Sequence, residues 1–413
     1  MPNTEPAAGM KPRGETPAAL PLRGLRVAEF SHAIMGPSAG MVLADLGAEV
    51  IKVEPAPDGD PTRRLIGSGI GFFGFYNRNK KSLAIDLKAP AARPAIEALI
   101  RSSDILVENF AVGTMERLGL GYEEVARLNP RLVYASLKGF LSGPYEQRRA
   151  LDEVVQMMSG LAYMTGPPGQ PLRAGASVID IMGGFGAVIG VLAALRQRDE
   201  TGKGSHVVSG LFEAAAFLVG QHMVNAAYLP LPLVPMSVRN SAWGVYDIFH
   251  SKEGKPIFIG IVTDTQWRRF CAVFDRPDLL EVPEFRSNSS RVSARPSLVP
   301  LLTEFFKKFS TDELVAKSDE AELAFAPVNM PTDLIDDPHL NAEGRLRETR
   351  LPDGKIVKVP RLPIEIDDAV FSVRQDPPLA GADTRSVLLS LGLKDAEIDA
   401  LAREGIVTAK EQR

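Results

Sequence analysis

One aspartate in the segment SVIDIMGGFGAVIGVLAAL, residues 177–195, places a reactive group in an apolar setting. Asp180 is the single charged residue of this run, and Gly183, Gly184 and Gly186 follow it closely. A short acidic side chain at such a place is typical of a helix N-cap, where it accepts a backbone N–H. The glycines need a further reason, since each weakens a helix by about 1 kcal/mol relative to alanine. They favour a place where the backbone approaches another group closely.

Basic and amide side chains form a second candidate set, because they recur at or just after predicted strand ends. Singly, each is typical of a solvated surface residue. Together they would lie along one edge of a parallel sheet, as the binding of a diphosphate or a nucleotide requires. The set comprises Asn77, Lys80, Lys81, Lys88, Asn109, Arg117 and Lys138.

The elements that would position these groups alternate between strands and helices. LRVAEF reads as a strand, SHAIMGP as a loop, SAGMVLADLG as a helix and AEVIKVE as a second strand. A helix near Ala91–Arg101 and strands at DILVENF and RLVYASLKG follow, so the chain begins as an α/β domain. Asp180 is then predicted to open a helix that ends near Arg198, with a turn at TGKG and another helix over about 210–227.

The pattern changes at LPLPLVP, residues 229–235. WGVYDIFHS and KPIFIGI predict a hairpin around KEGK, and helices follow at TDTQWRRFCAVF, Pro300–Phe309 and TDELVAKS. We therefore expect a tail at 1–21, a large domain at 22–228, a small α+β domain at 229–340, and a return to the large domain at 341–413. The last part contains alternating strands and two amphipathic helices.

Composition excludes several classes of protein. The net charge of −4 gives no broad footprint for nucleic acid, and the apolar run 183–195 is too short and too rich in glycine to span a bilayer. The single cysteine, Cys271, excludes an internal disulfide framework and a cysteine-based metal site, and the five histidines lack metal-binding spacing. The first 20 residues read as a disordered tail, not as a signal peptide. We expect a cytoplasmic protein without a metal and without a nucleic-acid or membrane partner.

The first βαβ unit also invites comparison with a dinucleotide-binding fingerprint. Glu54 ends the second strand, where a ribose-binding acid would stand. Gly36, Gly40 and Gly47 nevertheless do not form G-x-G-x-x-G. A nicotinamide enzyme therefore stays a minor alternative.

The order and spacing of many segments make the sequence similar to the family III CoA-transferases, which include formyl-CoA transferase and the α-methylacyl-CoA racemases. The matching text runs from about Leu22 to Val407. It includes GLRVAEFSHAIMGPSAGMVLADLGAEVIKVEP, FFGFYNRNKKSLAIDLK, DILVENF, SLKGF, the Asp180 segment and GADTRSVLLSLGL. The resemblance implies a Rossmann-like large domain built from both chain ends, a small domain between them, and an interlocked homodimer of linked rings.

The resemblance also implies a set of site residues. It makes Asp180 the catalytic aspartate, with CoA or acyl-CoA bound as a substrate and no permanently bound cofactor. Ala33, Ile34 and Met35 would cover the reacting thioester. The implied CoA contacts are Ile85, Lys88, Asn109, Phe110, Arg117 and Lys138. Ile34 stands where formyl-CoA transferase has a glutamine, and that enzyme's glycine-rich flap has no counterpart in PMSVRNSAWG.

Within that resemblance, Asp180 would attack an acyl-CoA, with succinyl-CoA as the donor, and later carry CoA as an aspartyl thioester. A helix N-terminus would favour its ionised form, and the small glycines would leave clearance for the thioester.

A racemase would need a histidine where Leu151 precedes Asp152, so Leu151 argues against that branch. Asp152 would support the site or cap a neighbouring helix. Arg239 would pair with a distal carboxylate or sulfinate, or form a surface ion pair. A non-catalytic CoA-binding protein is the third alternative.

Overall fold

The computed structural model describes residues 20–229, 232–239, 241–367 and 369–409. The predicted tail at 1–21 therefore lies outside the described residues, except for its last two. The chain divides into a large unit, formed by 1–237 and 338–413, and a small unit, Val238–Asp337. The small domain had been predicted at 229–340, so the first predicted boundary falls inside the large unit.

The first part of the large unit follows the predicted alternation of strands and helices. Its helices and strands are β1 (Arg26–Phe30), α1 (Met35–Asp45), β2 (Glu49–Glu54), α2 (Phe72–Tyr76), β3 (Lys80–Ile85), α3 (Arg93–Ser102), β4 (Ile105–Glu108), α4 (Thr114–Arg117), α5 (Tyr122–Leu128), β5 (Val133–Lys138), α6 (Asp152–Met158), α7 (Leu161–Thr165), α8 (Val178–Thr201), β6 (His206–Gly210) and α9 (Leu211–Asn225). α1 begins three residues before the predicted helix SAGMVLADLG, and α8 begins two residues before Asp180. β6 corresponds to no strand in the sequence prediction.

The small unit contains β7 (Val245–His250), β8 (Pro256–Ile261), α10 (Asp264–Val273), α11 (Asp278–Glu281), α12 (Asn288–Ser293), α13 (Arg295–Phe306), α14 (Thr311–Glu320) and β9 (Ala324–Pro327). β7 and β8 form the predicted antiparallel hairpin, and β9 pairs antiparallel with β8. One face of this sheet packs on an aromatic core that includes Phe249, Trp267 and Phe270. The small unit thus combines an antiparallel sheet with several helices.

The chain returns to the large unit with α15 (Pro338–Asn341), β10 (Leu346–Arg350), β11 (Ile356–Pro360), β12 (Glu365–Ile366), β13 (Ala369–Val370), α16 (Thr384–Ser390), α17 (Asp395–Arg403) and β14 (Val407–Thr408). β10 and β11 form one antiparallel pair, and β12 and β13 form another. Short 3-10 turns occur at Pro61–Arg64, Gly67–Gly69, Pro90–Ala92, Met236–Val238, Pro283–Phe285, Pro331–Ile335 and Ala342–Gly344.

The large unit is built on a seven-stranded sheet of order β14-β3-β2-β1-β4-β5-β6. All neighbours are parallel except β14, which pairs antiparallel with β3. The order 3-2-1-4-5-6 is that of a doubly wound Rossmann sheet, in which the strand order reverses between β1 and β4. A ligand is expected in the crevice outside the carboxyl ends of those two strands.

Alternate residues of the strands face two separate cores. Val27 and Val107 pack with α1 and α8 on one side, while Ala28 and Leu106 pack with α3 and α17 on the other. A parallel sheet covered by helices on both faces buries most of its strand residues, including the charged residues Glu29, Lys52 and Lys80.

Helix α8 is the one helix of the described residues that is long and apolar enough to cross a membrane. Buried residues such as Ile179, Val188 and Leu195 pack along its length in the core shared with α1, while Ile189 and Leu192 are exposed. This combination is also found in the core helices of globular proteins.

Candidate functional site

The glycines after Asp180 allow two helices to approach each other closely. A Cβ atom on Gly183 would lie 2.4 Å from the Met35 Cε, and one on Gly184 would lie 2.0 Å from the Ser38 Oγ and 2.8 Å from the Met35 carbonyl oxygen. Both glycines therefore face the start of α1. The expectation that they provide clearance for a thioester was wrong for these two positions, because α1 already occupies that space. Their packing instead brings the loop after β1 to the start of α8.

Asp180 is not the N-cap of α8. Ser177 occupies the cap position without a side-chain hydrogen bond, and Asp180 is the third residue of the helix. Oδ2 of Asp152 accepts the backbone N–H groups of Ile179, at 2.9 Å, and Asp180, at 3.1 Å. The N-cap prediction is therefore corrected, because an acid from α6 satisfies these groups. The predicted supporting role of Asp152 at a helix start agrees with this geometry.

Asp152 is itself held in place on its other side. Its Oδ1 accepts a hydrogen bond from Gln156 Nε2 and lies 3.6 Å from the Arg173 guanidinium. Gln156 is fully buried, and its Oε1 accepts the Ala174 N–H at 2.8 Å. These contacts fix the orientation of the Asp152 carboxylate at the start of α8.

Burial and a neighbouring negative charge govern the protonation of Asp180. Burial raises the pKa of this half-buried carboxyl group to about 7, with the Asp152 charge as the second cause and Arg173 acting in the opposite direction. The predicted preference for the ionised form is corrected, because Asp152 takes the N–H groups that would have stabilised a charge on Asp180. Near neutral pH both forms of Asp180 are populated.

The loop after β1 carries the three residues expected to cover a thioester. Ala33 has a backbone φ of +63°, a left-handed conformation that is uncommon for a residue with a Cβ. Ile34 is buried with Met41 and Tyr76, and Ile181, the neighbour of Asp180, packs against the same cluster. Met35 is the first residue of α1. The expected thioester loop and the expected nucleophile are thus linked through one apolar cluster.

Two predicted CoA contacts have side chains that are already engaged. The Asn109 amide accepts the His32 N–H at 3.0 Å and donates to the His32 carbonyl at 2.8 Å, which ties the loops after β1 and β4 together. Lys138 lies 2.6 Å from Oε1 of Glu108 and donates to the Phe110 carbonyl at 2.9 Å. These two side chains shape the crevice at the reversal of strand order, and direct contact with CoA stays a prediction for them.

A cavity of about 630 Å³ opens beside this crevice, at the carboxyl ends of β1, β2, β3 and β4. Ile85, Lys88 and Phe110, all predicted CoA contacts, line it, as does His32. Arg117 is exposed on α4, whose Thr114 lines the cavity, and it donates to the Thr114 Oγ1 at 2.8 Å. Lys88 is exposed as well. The cavity has the position and size expected of a nucleotide site.

A buried charged cluster lies behind the loop after β1. Lys80 binds Glu29 at 2.8 Å, while Lys52 binds Asp60 at 2.9 Å and the Ser31 carbonyl at 2.8 Å. Lys80 also donates to the Pro37 carbonyl at 3.0 Å. The sequence placed Lys80 among the residues of a ligand-binding edge, and this is corrected, since it is buried at the start of β3.

Glu54 is unsuited to binding a ribose. Its carboxylate binds Arg63 at 2.6 and 2.8 Å, accepts the Asp60 N–H at 2.7 Å and accepts the Ser82 hydroxyl. Because its oxygens are already bound by these partners, Glu54 is not available to bind the ribose of a nicotinamide cofactor, which argues against that alternative.

One predicted site residue lies in the small unit, and two residues near Asp180 were not predicted from the sequence. Arg239 is a half-buried residue at the start of the small unit, and its role toward substrate stays a prediction. Gln156 and Tyr76 were not selected from the sequence, because their placement depends on contacts between distant segments. Within the described residues, no group of three or more His, Cys, Asp or Glu side chains could hold a metal ion.

Comparison with known proteins identifies relatives over almost the whole chain. A family model described as CoA-transferase family III matches residues 22–384. The succinyl-CoA:glutarate CoA-transferase of Homo sapiens is 30% identical over 424 residues, which cover 97% of this chain and 93% of that protein. The formyl-CoA:oxalate CoA-transferase of Streptomyces coelicolor is 30% identical, covering 94% and 99%. The crystal structure of a CAIB/BAIF family protein from Brucella suis superposes with a TM-score of 0.79 at 30% identity, covering 90% of this chain and 99% of that one.

Proposed function

Because the chain belongs to CoA-transferase family III, we propose that it moves CoA from an acyl-CoA donor to a small organic acid through a covalent adduct on Asp180. The observation that carries the proposal is the position of Asp180. It is a carboxyl group in the first turn of α8, capped by Asp152 and linked through Ile181 to the loop after β1. A carboxylate nucleophile of this kind needs no separate general base.

The proposed reaction consists of four exchanges at carbonyl carbons. A carboxylate oxygen of Asp180 attacks the donor thioester, the C–S bond breaks, and CoA leaves as a thiolate while an anhydride forms. The thiolate then attacks the Asp180 carbonyl carbon, the anhydride C–O bond breaks, and the donor acid departs as its carboxylate. The acceptor carboxylate attacks the resulting aspartyl thioester, and the sequence runs in reverse to give the new acyl-CoA.

The electrostatics of Asp180 favour its covalent form. Burial and the Asp152 charge raise the pKa of Asp180 to about 7, so the ionised carboxylate is held at a free-energy cost. An anhydride or a thioester carries no charge at this position, which removes the repulsion from Asp152. The same surroundings that limit the ionised fraction therefore stabilise the acylated enzyme relative to the free carboxylate.

We place the nucleotide end of CoA in the 630 Å³ cavity at the sheet edge. Lys88 and Arg117 are exposed near it and can reach the phosphates, while Ile85 and Phe110 supply apolar contacts. The pantetheine arm would then pass the loop after β1, at Ala33, Ile34 and Met35, toward Asp180. Asn109 and Lys138 would act by holding the loops that shape this path.

Substrates and assembly are part of the proposal. The relatives named for succinyl-CoA and glutarate support succinyl-CoA as the donor and a small dicarboxylic acid as the acceptor. Arg239 is our candidate for pairing with the distal carboxylate of the acyl group. We further propose an interlocked homodimer in the cytoplasm, supported by exposed apolar side chains such as Ile189 on α8 and Phe217 on α9. Leu151, a residue that cannot accept a proton, argues against racemisation.

Incubation with succinyl-CoA and glutarate tests the function. The wild type is expected to form glutaryl-CoA, and peptide mass spectrometry is expected to find a CoA or acyl adduct at Asp180. Asp180→Asn should lose turnover by at least about 1,000-fold, as expected for loss of a covalent nucleophile.

Asp199→Asn is the matched control, because Asp199 is an exposed aspartate on the same helix and should leave turnover unchanged. Substantial transfer by Asp180→Asn would contradict the mechanism. Absence of an adduct across several donor thioesters would contradict the function and leave a CoA-binding protein.

A further inference from the structure

The proposed reaction generates negative charge on an acyl oxygen, and Ala33, Ile34 and Met35, the residues expected to cover the thioester, offer no side-chain donor for it. Ile34, which stands where formyl-CoA transferase has a glutamine, is an alkyl side chain that is 4% exposed. It packs with Met41 and Tyr76, and Ile181 packs against the same cluster. Tyr76 is the one member of this cluster with a polar group.

The ring of Tyr76 is fixed while its hydroxyl group is unengaged. Tyr76 is the last residue of α2, and it is 8% exposed. Its hydroxyl makes no hydrogen bond to any residue within the described ranges of the chain. The oxygen is also not one of the fully enclosed polar atoms that lack a partner, so it keeps access to solvent-filled space. A buried ring therefore presents a single accessible donor.

The carboxylates of the site lie within electrostatic range of this hydroxyl. Burial raises the pKa of Tyr76 to about 12, and the charges of Asp180 and Asp152 contribute to the increase in that order. The phenol therefore stays protonated over the pH range in which Asp180 titrates, where it can donate a hydrogen bond and carries no charge. A fixed neutral donor in an apolar wall is suited to stabilising an oxyanion.

We propose that Tyr76 is a catalytic hydrogen-bond donor, whose hydroxyl binds the acyl oxygen of the adduct on Asp180 and supplies the side-chain contact that Ile34 cannot make. The inference rests on the proposed covalent function of Asp180. In the free enzyme the hydroxyl does not bind Asp180, but an acyl group on Asp180 extends that side chain by several atoms. The donor is thus placed for the adduct and its transition states rather than for the free carboxylate.

Tyr76→Phe tests this role, because it removes one oxygen atom and retains the ring that packs with Ile34 and Met41. The rate of adduct formation with succinyl-CoA, measured by rapid quenching and intact mass, is expected to fall about 100-fold, as for loss of one oxyanion donor. The dissociation constant for CoA should stay within twofold of the wild-type value. A purely structural role would instead leave the rate unchanged.

Tyr134→Phe is the matched control. Tyr134 is buried on β5, and its hydroxyl donates to the Leu120 carbonyl, away from the Asp180 cluster. This variant should form the adduct at the wild-type rate even if its melting temperature falls. A Tyr76→Phe rate within threefold of wild type, or an equal loss in Tyr134→Phe, would overturn the inference while leaving the function of Asp180 intact. A wild type that forms no adduct would overturn both.

Discussion

At the scale of single residues, two carboxylates in neighbouring helices have different tasks. Asp152 is buried and accepts two backbone N–H groups at the start of α8, so its charge is stabilised by hydrogen bonds. Asp180 receives none of these bonds, and burial together with the Asp152 charge raises its pKa to about 7. One carboxyl group therefore holds the start of α8, and the other is the one for which we propose covalent chemistry.

We expect the pH dependence of transfer to follow the ionisation of Asp180. The carboxylate is the reactive form, so kcat/KM should rise with pH and level off above about 7. In Asp152→Asn the amide oxygen can still accept the N–H groups, but the repulsive charge is removed and the pKa of Asp180 falls. The acidic limb of the profile should move down by about one pH unit.

Glu153→Gln is the control for this profile. Glu153 binds the same Arg173 guanidinium at 2.9 Å, yet its charge is not among the causes of the Asp180 shift. Its profile should match that of the wild type. An unchanged acidic limb in Asp152→Asn would show that Asp152 does not control the protonation of Asp180.

At the scale of elements, the contact between α1 and α8 determines where Asp180, the proposed nucleophile, lies. Gly183 and Gly184 let the start of α8 approach Met35 and Ser38, and Ser209 on the neighbouring strand end donates to the Gly183 carbonyl at 2.8 Å. The intrinsic cost of glycine in a helix is offset by this close packing. The contact holds Asp180 beside the loop after β1.

A pair of alanine substitutions separates packing from helix propensity. In Gly184→Ala the new methyl group would meet the backbone of α1, so we expect a loss of about 1–3 kcal/mol in unfolding free energy and reduced transfer activity. In Gly186→Ala the nearest atom is the Ser209 Oγ at 3.4 Å, which is ordinary contact. That variant should gain about 0.5–1 kcal/mol from helix propensity. Urea denaturation measures both, and equal effects would contradict the packing role.

At the scale of the whole molecule, helices α8 and α9 and the residues near them expose a large apolar surface to solvent. Phe217 is 79% exposed and Tyr228 is 84% exposed, and Ile189 and Met223 are also largely exposed. Exposed apolar side chains in such number are typical of a protein interface. They favour a second copy of the chain as the covering partner.

Light scattering after size exclusion tests the assembly. The wild type should have twice the 44.6 kDa mass of one chain, whereas Phe217→Glu should shift the protein toward the monomer, because a charge is costly in an apolar interface. Leu389→Glu, at a 42% exposed position on α16, is the control and should stay dimeric. A monomeric wild type at micromolar concentration would contradict the homodimer.

Features that depend on residues close together in the chain could be predicted from the sequence. The alternation of apolar strands with helices predicted the βαβ start of the large unit and the hairpin of β7 and β8, because hydrophobic periodicity acts within short segments. The resemblance carried by ordered motifs indicated the family and selected Asp180. Strand β6 was not predicted. It has only five residues, HVVSG, and this short segment gives little hydrophobic pattern.

The interactions between the parts of the site follow from the way distant segments fold together. The tertiary structure assigned the cap of α8 to Asp152, which is 28 residues from Asp180 in the chain, and turned the glycines toward α1. It also raised the pKa of Asp180 and brought Tyr76 within electrostatic range of this carboxyl group. These properties depend on burial and on charges across space, which a linear pattern does not encode. The sequence thus selected Asp180 as the proposed reactive carboxylate, and the fold set its protonation and its neighbours.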